Sequence, residues 1–172
     1  IITFKNKLGY NPIFFSYPFG EYSEYMKAGI KKKFKLSFGQ HSGVIDVNKD
    51  LFELPRFPIN EKYGDLKRFE FLINLNSFQF KKLTPNEKYL SDINNPPSFF
   101  VEFFENQNNI QNTNCFSNEG NNWRKSEVFI KNNILEIKFE EKFLPRRGRI
   151  NCSLNDNGVW RWFGVQYSIK KN

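Results

Sequence analysis

Hydrophobic and polar positions change rhythm about halfway along the chain. In the first 75 residues helical and strand patterns alternate. Ile1 to Leu8 have the pattern of a helix tail, and Ile13 to Ser16 form a short apolar run of the kind buried in a sheet. That run ends abruptly in Tyr17-Pro18-Phe19-Gly20-Glu21, which predicts a rigid loop delivered to the rim of an α/β structure, where such folds keep their chemistry. From Glu21 to Lys33, Tyr22, Tyr25, Met26, Gly29 and Ile30 fall at helical spacing. Phe34 to Phe38 alternate as a strand does, and Gly39-Gln40-His41-Ser42-Gly43 follows as a loop with a glycine at each end. Leu51 to Ile59 is extended and limited by Pro55 and Pro58. Asn60 is expected to cap a further helix, with Glu61 and Asp65 near its start and Leu66, Phe69, Leu72 and Ile73 as its buried stripe.

Residues 76–98 are polar and end in Asn94-Asn95-Pro96-Pro97, which reads as a linker or an edge loop connecting the two parts. Short strand patterns then dominate: Phe99 to Phe104, Thr113 to Ser117, Glu127 to Ile130, Ile134 to Phe139, Arg149 to Leu154 and Trp160 to Ile169. Lys131-Asn132-Asn133 and Asn155-Asp156-Asn157-Gly158 read as tight hairpin turns. This spacing predicts a small antiparallel β-sandwich over 99–172.

Composition adds less than pattern. The chain has 172 residues, 39% hydrophobic and 18% aromatic with 21 Phe, which supplies a core and excludes wholesale disorder. The net charge of +8 permits an acidic partner, but the lysines are dispersed. Only Lys31-Lys32-Lys33, at a predicted helix end, and Arg146-Arg147-Gly148-Arg149 cluster. A nucleic-acid reading rests on composition alone and finds no motif. No apolar run is long enough for a transmembrane helix. Cys115 and Cys152 are too few, and lack the His partners, for a zinc site; a disulfide and two buried thiols both remain open.

Three segments in order carry a family resemblance: Phe15-Ser16-Tyr17-Pro18-Phe19-Gly20-Glu21, Phe38-Gly39-Gln40-His41-Ser42-Gly43 and Leu54-Pro55-Arg56-Phe57-Pro58. Together they resemble the polysaccharide deacetylases of the NodB-homology type, carbohydrate esterase family 4, over roughly residues 1–75. The resemblance implies an α/β part, the C-terminal portion of a distorted (β/α) barrel, followed by an appended all-β sandwich. It implies a periplasmic or secreted parent, which favours the disulfide. It implies hydrolysis of acetamide groups on N-acetylglucosamine-type glycans by a divalent metal, commonly zinc, held by one Asp and two His, with a second Asp as base. The Asp-Asp segment and the His-x-x-x-His pair are missing, and His41 is the only histidine. The chain, which begins at Ile1, is therefore expected to be the back part of a larger protein, holding no metal and inactive by itself.

Within that resemblance, Tyr17, Pro18, Phe19 and Gly20 match the substrate-groove motif. Arg56 matches an arginine that orients the catalytic Asp, and His41 is a candidate general acid for the leaving amine. The alternative function is a non-catalytic carbohydrate-binding or cell-envelope module, resting on the aromatic-rich second half. Alternation places Trp160 and Trp162 on one strand face, where the abundance of aromatics favours core packing over sugar stacking.

Overall fold

The computed structural model describes residues 1–170 as a mixed α/β protein with mostly antiparallel sheets and three short helices. In the first part, α1 (Ile2–Leu8) stops at Gly9, which takes the left-handed conformation (φ 79°) and donates back to the Lys5 carbonyl. Then come β1 (Phe14–Ser16), a 3-10 turn over Pro18–Gly20, α2 (Glu24–Lys31) and β2 (Leu36–Phe38). Ser23, not Glu21, starts α2: its side chain accepts from the Met26 amide at 3.2 Å, with Glu24 in the first turn and Lys31 in the last. Strands β1 and β2 pair in parallel, and Leu54 extends the set through a parallel bridge to Phe38. Among the described residues these segments form no closed barrel.

Asp65, not Asn60, caps α3 (Leu66–Ile73), accepting from the Arg68 amide at 2.9 Å. Asn60 instead caps a preceding turn, accepting from the Lys62 and Tyr63 amides. An aspartate next to the first helical residue wins because its carboxylate reaches the free amides directly.

The remaining strands build two packed sheets. One has the order β4 (Phe80–Thr84), β6 (Phe99–Phe103), β10 (Ile134–Lys138), β9 (Glu127–Lys131). The other runs β3 (Asn76–Ser77), β12 (Val159–Ile169), β11 (Arg147–Asp156), β7 (Asn114–Ser117), β8 (Arg124–Lys125), with β5 (Tyr89–Leu90) also on β12. Segment 76–98 is therefore not a linker: β3, β4 and β5 lie in it, and its Phe78 and Leu90 are fully buried in the sandwich core. Alternate residues of β6 (Phe99, Val101, Phe103), β11 (Ile150, Cys152, Leu154) and β12 (Phe163, Val165, Tyr167) meet between the sheets. Asn132 and Asn133 both adopt positive φ in one hairpin turn, and Asn157 and Gly158 in the other.

Cys115 and Cys152 face each other in register on β7 and β11 and are disulfide-bonded inside this core. The bond is consistent with an extracytoplasmic location. No helix among the described residues is long and apolar enough to cross a membrane.

Strand β12 decides how the two parts join. Strand β3 pairs only with Arg161 and Trp162, and β5 only with Ser168 and Ile169. The open edge between them is met by the Gly39–Gly43 loop, through a bridge from Gly43 to Phe163. A covered edge offers no template for another chain. The outward face of β12 completes the joint. The Gln166 side-chain amide donates to the carbonyls of Phe19 (3.0 Å) and Gly20 (3.1 Å), while Arg146 pairs with Glu21 at 3.0 Å.

Candidate functional site

The three parallel segments end on one side of the first part, and each hands over to one motif loop: Tyr17–Gly20, Gly39–Gly43 and Pro55–Pro58. Carboxyl ends of parallel strands are where open α/β sheets place their ligands. Two of these loops, with the outward face of β11 and β12, enclose a cleft of about 530 Å³. Its chemistry is set by Arg56, Arg68 and Arg149 together with Tyr63, Trp123 and Trp162. Gln40, Ser42 and Asn151 add neutral hydrogen-bonding groups, and no carboxylate lines it. The volume is that of an ordinary small-ligand site.

Each arginine is anchored by its Nε to a neutral oxygen. Arg56 donates to the Gly39 carbonyl (2.9 Å), Arg68 to the Tyr63 carbonyl (3.1 Å) and Arg149 to the Gln166 side-chain oxygen (3.2 Å). Among the described residues the arginines in salt bridges are Arg124 and Arg146, on other surfaces. Burial holds the Arg149 guanidinium below its ordinary value, with Arg147 pushing the same way.

His41 stands between this cleft and a smaller enclosed cavity of about 60 Å³, whose walls include Tyr22, Lys49, Asp50, Glu53 and Lys88. Its ring packs so closely on Gly39 that a Cβ there would lie 2.7 Å from Nδ1. Burial pushes the imidazole down to about 4 against the pull of Glu53, and Lys88 and Lys49 add to the effect. At pH 7 the ring is neutral and lacks the charged acid form that protonating a leaving amine calls for.

The Tyr-Pro-Phe-Gly turn is placed differently from the expected groove. Tyr17 is buried and stacked on Tyr22 at 4.6 Å; its hydroxyl donates to the Phe52 carbonyl and accepts from Ser37. It is a core residue because the hydroxyl's partners all lie inside the first part. Pro18 and Phe19 are exposed, but Arg146 covers the Phe19 ring at 4.3 Å. Gly20 is buried against Gln40 at φ 72°, a conformation and a contact that exclude a side chain. None of the four lines the cleft. Trp160 and Trp162 share a face but not a role: Trp160 packs edge-on to Phe71 at 5.9 Å, while Trp162 reaches the cleft.

Sequence reading missed Tyr63, Arg68, Trp123 and Asn151 as site residues and saw Arg149 only as part of a charge cluster. They come from four separate elements or loops, and only Arg149 and Asn151 share one, so no spacing in the chain brings the set together. The signal that existed was strand alternation on β11, which puts Arg149 and Asn151 on the face opposite the core.

The chain matches no family model, no curated protein and no solved structure.

The residues present do not fit a catalytic zinc. Among the described residues no three His, Cys, Asp or Glu side chains group as ligands, and the cleft beside His41 is walled by three guanidinium groups that repel a divalent cation.

Proposed function

We propose that this chain is the C-terminal part of an exported polysaccharide N-deacetylase of the NodB-homology type, and that its share of the work is to hold and orient the glycan. The observation that carries the reading is the cleft itself. It opens at the carboxyl ends of two of the parallel segments, beside the Gly39–Gly43 and Pro55–Pro58 loops, and aromatic side chains and hydrogen-bonding groups line it together. Trp123 and Trp162 take the apolar faces of sugar rings. Gln40, Ser42 and Asn151 bond ring hydroxyls, and Arg56, fixed by the Gly39 carbonyl, presents its terminal nitrogens to the carboxylate of the base. Base and metal ligands are assigned to a preceding segment of the parent protein, so no step of hydrolysis is derived for this chain. The exposed apolar side chains of α1 and α3, among them Ile2, Leu8, Leu66 and Ile73, support the same reading, since neighbouring helices and strands cover such faces in a barrel.

The test is to express the natural reading frame that contains this chain and to measure acetate release from N-acetylglucosamine oligomers, beside the chain alone. Release by the longer protein that a chelator abolishes, with none from the chain alone, is expected. Release by the chain alone, or none by the longer protein, overturns the proposal.

The aromatic set Tyr63, Trp123 and Trp162 also suits a carbohydrate-binding module without catalysis. That reading predicts glycan binding by this chain with no acetate release from any longer frame.

A further inference from the structure

The cleft is built for charge as well as for sugar rings. Two of its arginines, Arg68 and Arg149, line the cleft with Tyr63. The Arg68 guanidinium lies over the Tyr63 ring at 5.3 Å. Both arginines are half-buried, and both spend Nε on a neutral oxygen. Such anchoring fixes the plane of a guanidinium while leaving its paired terminal nitrogens for a ligand. Neither has a salt-bridge partner among the described residues, although Arg124 and Arg146 both find carboxylates. Two cations lining one cleft without a carboxylate there leave their terminal nitrogens to an arriving oxyanion.

Trp123 and Trp162 line the same cleft. Trp123 is 48% exposed, and Trp162 is braced edge-on by Phe57 at 6.3 Å. A platform next to a fixed cationic fork matches a pyranose ring bearing an acidic substituent.

We infer that this cleft selects an acidic saccharide, one whose ring stacks on Trp123 or Trp162 while its carboxylate or sulfate is held by Arg68 and Arg149. This rests on the reading of the cleft as a glycan groove and narrows its substrate class from neutral aminosugar polymers to polymers carrying acidic units. Nucleic acid is the weaker fit. The cations here are confined to one cleft rather than arranged along a track that would follow a phosphate backbone, and the disulfide is consistent with a location away from nucleic acid.

Binding is measured with this chain by tryptophan fluorescence and calorimetry. The probes are a tetramer of N-acetylglucosamine, a uronate tetramer, a sulfated tetramer and a single-stranded DNA oligomer of matched charge. At least one acidic tetramer is expected to bind roughly tenfold or more tighter than the neutral one, as fits one charge-assisted pair of hydrogen bonds. Which one binds tells carboxylate from sulfate. Arg68→Gln and Arg149→Gln should each bring acidic binding down to the neutral level, while Trp123→Ala weakens all saccharides alike. Arg149→Lys controls for folding because it keeps charge and stem but loses the fork, so selectivity should fall with the melting temperature held. Equal affinity for neutral and acidic tetramers overturns the acidic assignment and leaves the glycan groove intact. Failure of every saccharide to bind overturns both. Tighter binding of the DNA oligomer, lost in the same arginine variants, overturns the saccharide assignment in favour of a nucleic-acid site.

Discussion

Residues 1–75 and the sandwich that follows draw on the same apolar residue types and use them in opposite ways. Seventeen apolar side chains of the sandwich form one buried cluster, whereas in the first part the buried ones are Tyr17, Tyr22, Leu54, Leu72 and Leu75. The first part instead leaves side chains such as Ile2, Leu8, Phe14 and Leu66 about half or more exposed. Antiparallel sheets linked by hairpins close on each other within a short stretch of chain. Parallel strands need cover on both faces, and β1 and β2 receive it on part of one. The first part compensates with a polar centre. Lys27, almost wholly buried, contacts Glu24 at 2.6 Å, Glu53 at 2.9 Å and Asp50 at 3.0 Å, and Tyr22 donates to Glu53. Burial alone would push the Lys27 ammonium down; Glu53, Glu24 and Asp50 hold it above the ordinary lysine value. One part is thus held by apolar packing and a covalent staple, the other by a charge cluster and by docking on β12.

The contrast is easiest to break at the staple. Cys115→Ser with Cys152→Ser releases a 37-residue separation and should lower stability by about 4 kcal/mol. Hydrogen exchange should speed across β7, β11 and β12, with a smaller change around Lys27. A loss spread evenly over both parts would mean that they unfold as a single unit.

The next effect lies at the junction and depends on pH. His41 has a folded value of about 4 against 6.5 when free, so below 6.5 the unfolded chain binds the extra proton. The stability given by the neutral ring is complete above pH 6.5 and is lost as pH falls toward 4, by up to about 3 kcal/mol. Chemical denaturation at pH 7.5 and 4.5 should show this decline, and His41→Gln should flatten it. An unchanged pH slope in that variant would assign the acid sensitivity to another group.

Lys27→Met should cost roughly 2–3 kcal/mol, since it strands three carboxylates that are themselves partly solvated. Its exchange signature should be confined to α2, β2 and the 50–54 segment, the reverse of the cysteine pair.

Gly164→Ala is the mildest change and addresses the joint alone. Its Cβ would lie 2.5 Å from the Ser42 carbonyl oxygen and 2.7 Å from Asn151 Oδ1, a misfit of about 1–2 kcal/mol. Limited proteolysis should then cut between the two parts more readily, with the sandwich surviving intact.

Much of this fold is legible in the chain. The strand patterns at 99–104, 113–117, 127–130, 134–139, 149–154 and 160–169 recover the main strands to within a few residues at each end, because each buries one face and so tends to alternate. Strands β3, β4, β5 and β8 escape because they are short, polar or both, and exist only through pairing with a neighbour. The site is less legible. Arg56 and His41 could be singled out because they sit in motif loops at strand ends. Tyr17 was misjudged because a Tyr-Pro turn reads alike whether its phenol faces a groove or a core.

Local pattern, then, determined the helices and the longer strands, that two different architectures follow one another, and where the glycine and asparagine turns fall. These depend on side-chain periodicity and backbone preference within a few residues. Tertiary structure alone decided that β12 offers an open edge for the Gly39–Gly43 loop, that Trp162 faces the cleft while Trp160 packs on Phe71, and that arginines far apart in the chain meet there without a carboxylate. Contacts between distant segments carry no local periodicity, so they become readable only when the sheets have closed and the two parts have docked.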